Sequence, residues 1–157
     1  MFTINVAVAL GIPLLAHGIY GWDLPIQISN PIIVYPFSFL QATLINLGVI
    51  YLVMLAMVGF TLLLSSRLKS PFAVLLVIVP TVFIPLFLVP TGTTGLYNLI
   101  LLLLPYRATI PRFGSFISYQ FGALVLDVFN MRAIVYVVLT IIAIPFAYMG
   151  FKKHQVS

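Results

Sequence analysis

The sequence predicts an all-α, polytopic integral membrane protein with about four transmembrane helices and a short re-entrant or interfacial helix. Of its 157 residues, 63% are hydrophobic and only 6% are charged, whereas soluble domains carry roughly 25% charged residues. The chain has no Glu, and its only acids are Asp23 and Asp127. A chain this poor in charge cannot cover a folded core with a water-soluble surface, so we expect lipid around it.

The positions of the basic residues argue against a nucleic-acid partner, and the absence of cysteine excludes two kinds of sulfur-based site. The net charge of +5 is the balance of seven Lys and Arg residues, which flank the apolar stretches, and two Asp residues. In that position the basic residues set membrane topology, and we expect no nucleic-acid partner. With no cysteine in the sequence, disulfides and thiolate metal sites are excluded.

The first span is predicted over residues 3–20, "TINVAVALGIPLLAHGIY". At about 1.5 Å per residue it would measure roughly 27 Å, close to the hydrocarbon thickness of about 30 Å. Tyr20 and Trp22 follow it, as amphipathic rings do at the headgroup level. The proline-rich stretch "DLPIQISNPIIVYP" then predicts a loop at the membrane surface.

The second span is predicted over residues 39–64. "SFLQ" fits a capping box, with Ser38 as the N-cap and Gln41 bonding back to it. The 26 apolar residues would extend roughly 39 Å, so the helix should tilt. Arg67 and Lys69 follow and mark a membrane boundary.

The third span is predicted over residues 71–90. Ser70 is placed as the N-cap and Pro71 as the first helical residue. Pro80 and Pro85 lie inside the span, and each removes a backbone hydrogen bond and kinks the helix. Because lipid offers the freed carbonyls no donor, we expect this helix to pack against protein.

Residues 95–131 are predicted to be re-entrant or interfacial. The apolar stretch 96–105 would be only about 15 Å long as a helix, half a bilayer. Residues 118–131 are predicted as an amphipathic helix with an apolar and a polar face. Asp127 and Arg132, five residues apart near the boundary, are expected to be solvated at the surface.

The last span is predicted over residues 133–151. The total number of spans is four or five, depending on whether residues 96–105 also cross the membrane. If 96–105 does not cross, there are four spans, and four basic residues on one side oppose three on the other. If it crosses, the division is five to two, which the positive-inside rule favours. Length favours four spans, and we prefer four because lipid penalises unsatisfied backbone more than a misplaced arginine near the headgroups. The four-span groups are Arg67, Lys69, Lys152 and Lys153 on a cytoplasmic side, against Arg107, Arg112 and Arg132.

The sequence contains no recognisable catalytic motif. There is no Gly-rich phosphate loop, and His17 and His154 lie in distant segments without a Glu to form a metalloprotease site. We therefore expect no catalytic residue, no cofactor and no metal. Among polar groups within spans, Asn46 is expected to bond between helices. Pro80 and Pro85 are the candidates for a transport path, since broken helices often line one.

Four stretches, in this order, carry a resemblance to a known family: "GIYGWDLPIQ", "LLLSSRLKSPFAVLL", "LILLLLP" and "FKKHQV". With them the chain resembles, over essentially its whole length, the C-terminal portion of ATP-binding-cassette (ABC) transporter permeases of the type-2 exporter class, especially those of Gram-positive bacteria. Such permeases usually have about six spans, so the resemblance implies that this chain supplies the last four and is a portion of a permease. It also implies short or re-entrant helices between the last two spans, over 91–132.

The resemblance further implies partners and roles. A separate soluble ATPase subunit would hydrolyse ATP, and a second permease half would pair across a central cavity in the bacterial plasma membrane. Asn46, Pro80 and Pro85 would line the substrate path within the membrane lipid. The basic residues at the cytoplasmic side would face the ATPase or anchor the topology: Arg67, Lys69, Lys152 and Lys153.

The competing interpretation is a small non-transporting membrane protein, such as an accessory subunit, an immunity-type protein or a scaffold. It needs neither a cavity nor an ATPase, so an ATPase partner discriminates the two. A proton-coupled carrier is disfavoured because it would need buried carboxylates, and both Asp residues are at interfacial positions.

Overall fold

The computed structural model describes residues 2–18, 20–68, 70–92 and 95–155, apart from the side chains at 2, 9, 13, 14, 16, 17 and 153–155. The described part is mostly helical, with one two-stranded hairpin that the all-α prediction did not include. In chain order the elements are α1 (Phe2–His17), α2 (Phe39–Ser65), α3 (Pro71–Phe87), α4 (Leu96–Leu101), α5 (Pro105–Ala108), β1 (Ser118–Phe121), β2 (Leu124–Asp127) and α6 (Val128–Gln155).

Two helices of the described chain are long and apolar enough to cross a membrane. They are α2, with 27 residues, and the stretch Val128–Lys152 of α6, with 25 residues. At about 1.5 Å per residue both exceed a hydrocarbon core of about 30 Å. Only 22% of each apolar window is buried within the protein, so these helices present most of their apolar surface outward, unlike the core helix of a soluble domain.

Helices α1 and α3 are shorter than predicted, and each has a local reason to stop. Helix α1 ends at His17, where Gly18 takes a left-handed φ of +70°, the conformation that commonly ends a helix. Helix α3 ends at Phe87, and Leu88 is extended with ψ of 114°. Pro90 disfavours the helical conformation at the residue before it, so the helix cannot continue to residue 90.

The predicted start signals of α2 and α3 are found where expected. Ser38 Oγ accepts a hydrogen bond from the backbone N–H of Gln41 at 3.2 Å, and Gln41 Oε1 accepts from the backbone N–H of Ser38 at 3.1 Å. This confirms the capping box. Ser70 and Pro71 also occupy the predicted N-cap and first helical positions, although the Ser70 hydroxyl makes no capping hydrogen bond.

The amphipathic helix predicted over 118–131 is wrong. Strands β1 and β2 pair antiparallel there, with Tyr119 opposite Leu126. Gly122 begins the two-residue connection with a φ of +62°, as the first central residue of a type II′ hairpin turn does. Helix α6 therefore starts at Val128 rather than 133, and Asp127 Oδ1 accepts from the N–H of Asn130 at 3.2 Å, as an N-cap carboxylate does.

Helices α2 and α6 form the main packing contact of the fold and run parallel. A Cβ on Gly59 of α2 would lie 3.1 Å from Cβ of Ala143, and one on Gly150 of α6 would lie 2.7 Å from Cβ of Ser66 at the end of α2. Contacts that advance together along both helices mean that the two N-termini lie at one end and the two C-termini at the other. Small residues at these crossings let the backbones approach closely.

Candidate functional site: arginines that hold a broken apolar segment

Helices α4 and α5 create a backbone problem that a membrane protein must solve internally. They contain six and four residues, and the last four carbonyls of any helix lack an intrahelical donor. Two such short helices in succession leave many acceptors without partners, each costing several kcal/mol in lipid if unsatisfied. The segment from Leu96 to Ile110 therefore needs side-chain donors from other elements.

Arg132 supplies three of these donors. It lies in the second turn of α6 and is fully buried, with 0% of its surface exposed. Its Nε donates to the carbonyl of Leu102 at 3.3 Å, its Nη1 to that of Ile110 at 3.0 Å and its Nη2 to that of Arg107 at 3.1 Å. A guanidinium carries five N–H donors in one rigid plane, so a single side chain satisfies carbonyls on both sides of α5.

Arg107 extends this network to α3. Its Nε donates to the carbonyl of Pro85 at 3.1 Å and its Nη2 to that of Leu88 at 2.6 Å. Both carbonyls lie in the last turn of α3 or just after it, where no helical N–H follows. Because the backbone of Arg107 in turn accepts from Arg132, the end of α3, helix α5 and the start of α6 are joined in one chain of hydrogen bonds.

Two tyrosines complete the set of donors to this segment. Tyr119 of β1 donates its hydroxyl to the carbonyl of Leu99 at 2.8 Å, and Tyr136 of α6 donates to that of Leu103 at 2.6 Å. Burial raises the pKa of Tyr119 above 10.0, with the positive charge of Arg132 opposing the shift. The hydroxyl is therefore protonated at neutral pH and acts as a donor.

The surface position expected for Arg132 is wrong, while that for Asp127 is partly right. Arg132 is among the most buried side chains of the described chain, and its acceptors are backbone carbonyls rather than a carboxylate. Asp127 is half-buried and caps α6 through Asn130. We name the segment from Leu96 to Ile110 the arginine-held segment. Tyr119, Arg132 and Tyr136 donate to its carbonyls, and its own Arg107 donates to the end of α3.

The residues predicted to line a path lie on two different helices, Asn46 on α2 and Pro80 and Pro85 on α3. Asn46 is half-buried and lines a cavity of about 460 Å³ between α1 and α2, together with Val6 and Leu10. Pro80 and Pro85 lie on α3, away from the lining of that cavity. Pro85 is buried, and its carbonyl is one of the acceptors of Arg107.

The predicted anchors lie at one end of the α2–α6 pair where the structure describes them. Arg67 follows the end of α2 and Lys152 lies in the last turn of α6, and both are exposed. Since α2 and α6 are parallel, the two charges share an end. Lys69 lies outside the described residues, as does the side chain of Lys153.

Sequence reasoning treated Arg107 and Arg132 as topology charges and missed their structural role. A usable indication was present, because an apolar stretch too short to cross a membrane needs hydrogen-bond donors, and arginine offers the most donors of any side chain.

Within the described ranges, no three His, Asp or Glu side chains come together to hold a metal ion. No family model, no curated protein and no solved structure matches the chain.

Proposed function

We propose that this chain is a membrane-spanning permease subunit of an ABC transporter that works with a separate ATPase subunit and a second permease half. The observation that carries the proposal is the arginine-held segment, two short helices between the kinked α3 and the last helix α6. Type-2 permeases, which the sequence resembles, have short or re-entrant helices at this place. The parallel α2 and α6 support the same arrangement, since the chain must then return to one side between them.

The proposed orientation in the membrane depends on which arginine side chains are not hydrogen-bonded inside the fold. In the four-span proposal, Arg107, Arg112 and Arg132 share the side opposite the chain's C-terminus. Arg107 and Arg132 are engaged with backbone carbonyls inside the fold, so they act as internal donors more than as loop charges. The other end then carries the larger free basic charge, including Arg67 and Lys152, and the positive-inside rule puts it in the cytoplasm of a bacterial cell.

Within this proposal, path residues and anchors have separate places. The kinked α3, with Pro80 and Pro85, and Asn46 on α2 would line the substrate path with the second permease half. Arg67 and Lys152 are exposed, and in the proposed orientation they would face the ATPase subunit in the cytoplasm.

The test is purification of the tagged chain from its native membranes in mild detergent, followed by mass spectrometry of bound proteins. We expect a stoichiometric ATPase subunit. An Arg67→Gln, Lys152→Gln variant should retain less of it, whereas Arg112→Gln, at the opposite end, should retain it fully. A preparation free of any ATPase would contradict the proposal and favour a small membrane protein without a transport role.

A further inference from the structure

A second cavity, of about 480 Å³, lies beside the arginine-held segment and is walled by α2, α3, the turn between α4 and α5, and α6. Its inner wall includes the buried residues Ala56 and Ala143, whose small side chains leave the space open. Ile100, Leu139 and Ile142 also line it and are each about half exposed, at 52%, 48% and 49%. The cavity therefore reaches from the interior of the helix bundle to its outer surface.

The polar side chains in the lining are already engaged within the protein. Thr81 Oγ1 donates to the carbonyl of Val77 at 2.7 Å, and the Tyr136 hydroxyl donates to the carbonyl of Leu103 at 2.6 Å. The remaining lining side chains are apolar. A buried water needs two to four polar partners, and an apolar cavity without them stays dry. The occupant that suits this cavity is therefore a hydrocarbon group.

We propose that this cavity binds an acyl chain of a membrane lipid. Its outer rim includes Leu139 and Ile142, which belong to the stretch of α6 long enough to cross a membrane. Lipid chains are therefore the solvent at its mouth. At about 480 Å³ it is about three times the engineered cavity of roughly 150 Å³ that admits benzene, so it suits a chain more than a single small ring.

The headgroup of the lipid stays outside the cavity. Arg107 and Arg132, which join the arginine-held segment to α3 and α6, already donate to backbone carbonyls, and the cavity lining contains no charged residue. The site therefore selects by chain and not by headgroup. This inference does not depend on an ATPase partner and stands apart from the permease proposal.

The test uses tryptophan fluorescence in vesicles of phosphatidylcholine brominated on its acyl chains, because bromine quenches tryptophan on contact. Trp22, the single tryptophan, is first removed as Trp22→Phe. Phe60→Trp then places a reporter in the cavity lining, and Phe129→Trp places one in a buried aromatic cluster away from it. We expect the Phe60→Trp variant to lose most of its fluorescence in brominated lipid and the Phe129→Trp variant to retain most of its own.

A second pair of substitutions separates a chain in the cavity from lipid that merely surrounds the protein. Thr81→Phe fills the cavity from α3, and Val79→Phe adds the same ring at an exposed position of the same helix. In the Phe60→Trp background, Thr81→Phe should restore much of the fluorescence and Val79→Phe should leave the quenching unchanged. Equal quenching of Phe60→Trp and Phe129→Trp, or no effect of Thr81→Phe, overturns the proposal.

Discussion

Replacing Arg132 with methionine removes a donor from each of three backbone carbonyls while keeping a long side chain in the core. The Arg107 carbonyl also accepts from the backbone N–H of Ile110 at 3.3 Å, so two carbonyls, those of Leu102 and Ile110, lose the donor that the structure shows for them. A buried acceptor left without its donor costs about 1–3 kcal/mol, which gives an upper bound of roughly 6 kcal/mol for two. Hydrogen bonds between membrane helices average about 0.6 kcal/mol in double-mutant cycles, which gives a lower bound of roughly 2 kcal/mol. Relief from burying a cation offsets part of the loss, so we expect a decrease in the free energy of unfolding of about 2–5 kcal/mol.

The assay is equilibrium unfolding of the purified protein in mixed micelles with increasing SDS, followed by far-UV circular dichroism. Arg112→Met is the matched control, because it removes the same charge from the same end of the fold while the Nε of Arg112 has no acceptor in the described chain. Because that Nε is buried without a partner, Arg112→Met should leave the free energy of unfolding unchanged or raise it, by up to about 3 kcal/mol. Arg132→Lys should fall between the two, since an ammonium cannot reproduce the planar fork of a guanidinium. Arg132→Met and Arg112→Met unfolding at the same SDS fraction would refute the assigned role.

Two further predictions concern helix packing and the tyrosine donors, both measured by the same unfolding assay. Gly150→Ala should cost about 1–3 kcal/mol, because the added methyl would lie 2.7 Å from Cβ of Ser66. Gly48→Ala, whose methyl would meet nothing within 4 Å, should instead gain up to about 1 kcal/mol; a loss in both variants would argue against the close approach of α2 and α6. Tyr136→Phe should cost about 1–3 kcal/mol by removing the donor to the Leu103 carbonyl. The exposed Tyr148 provides its control, and Tyr148→Phe should stay within about 0.5 kcal/mol; equal effects of the two would exclude Tyr136 from the network.

Local rules explain the parts of the fold that the sequence predicted well. The capping box of Ser38 and Gln41 depends on atoms three residues apart. The start of α3 at Pro71 depends on the fixed φ of one residue. Two of the four predicted spans, 39–64 and 133–151, became helices long enough to cross a membrane, because every backbone group of a helix is satisfied within its own segment.

The hairpin and the arginine-held segment could not be read from local rules. An amphipathic assignment of 118–131 overlooked Gly122, whose φ of +62° turns the chain back. The role of Arg132 depends on carbonyls 22 to 30 residues earlier in the chain. Charge counting assigns such a residue to the membrane surface, and only its distance to Leu102, Arg107 and Ile110 shows otherwise.

The measurement that tests the central claim most directly is the accessibility of single cysteines to a membrane-impermeant maleimide. The chain has no cysteine of its own, so Arg67→Cys, Gln120→Cys and Lys152→Cys can each be labelled alone in intact cells and in inverted vesicles. We predict that Arg67→Cys and Lys152→Cys label from the cytoplasmic side and that Gln120→Cys, in the hairpin, labels from the opposite side. Labelling of Lys152→Cys from the side opposite Arg67→Cys would mean that the arginine-held segment crosses the membrane, which contradicts the parallel packing of α2 and α6.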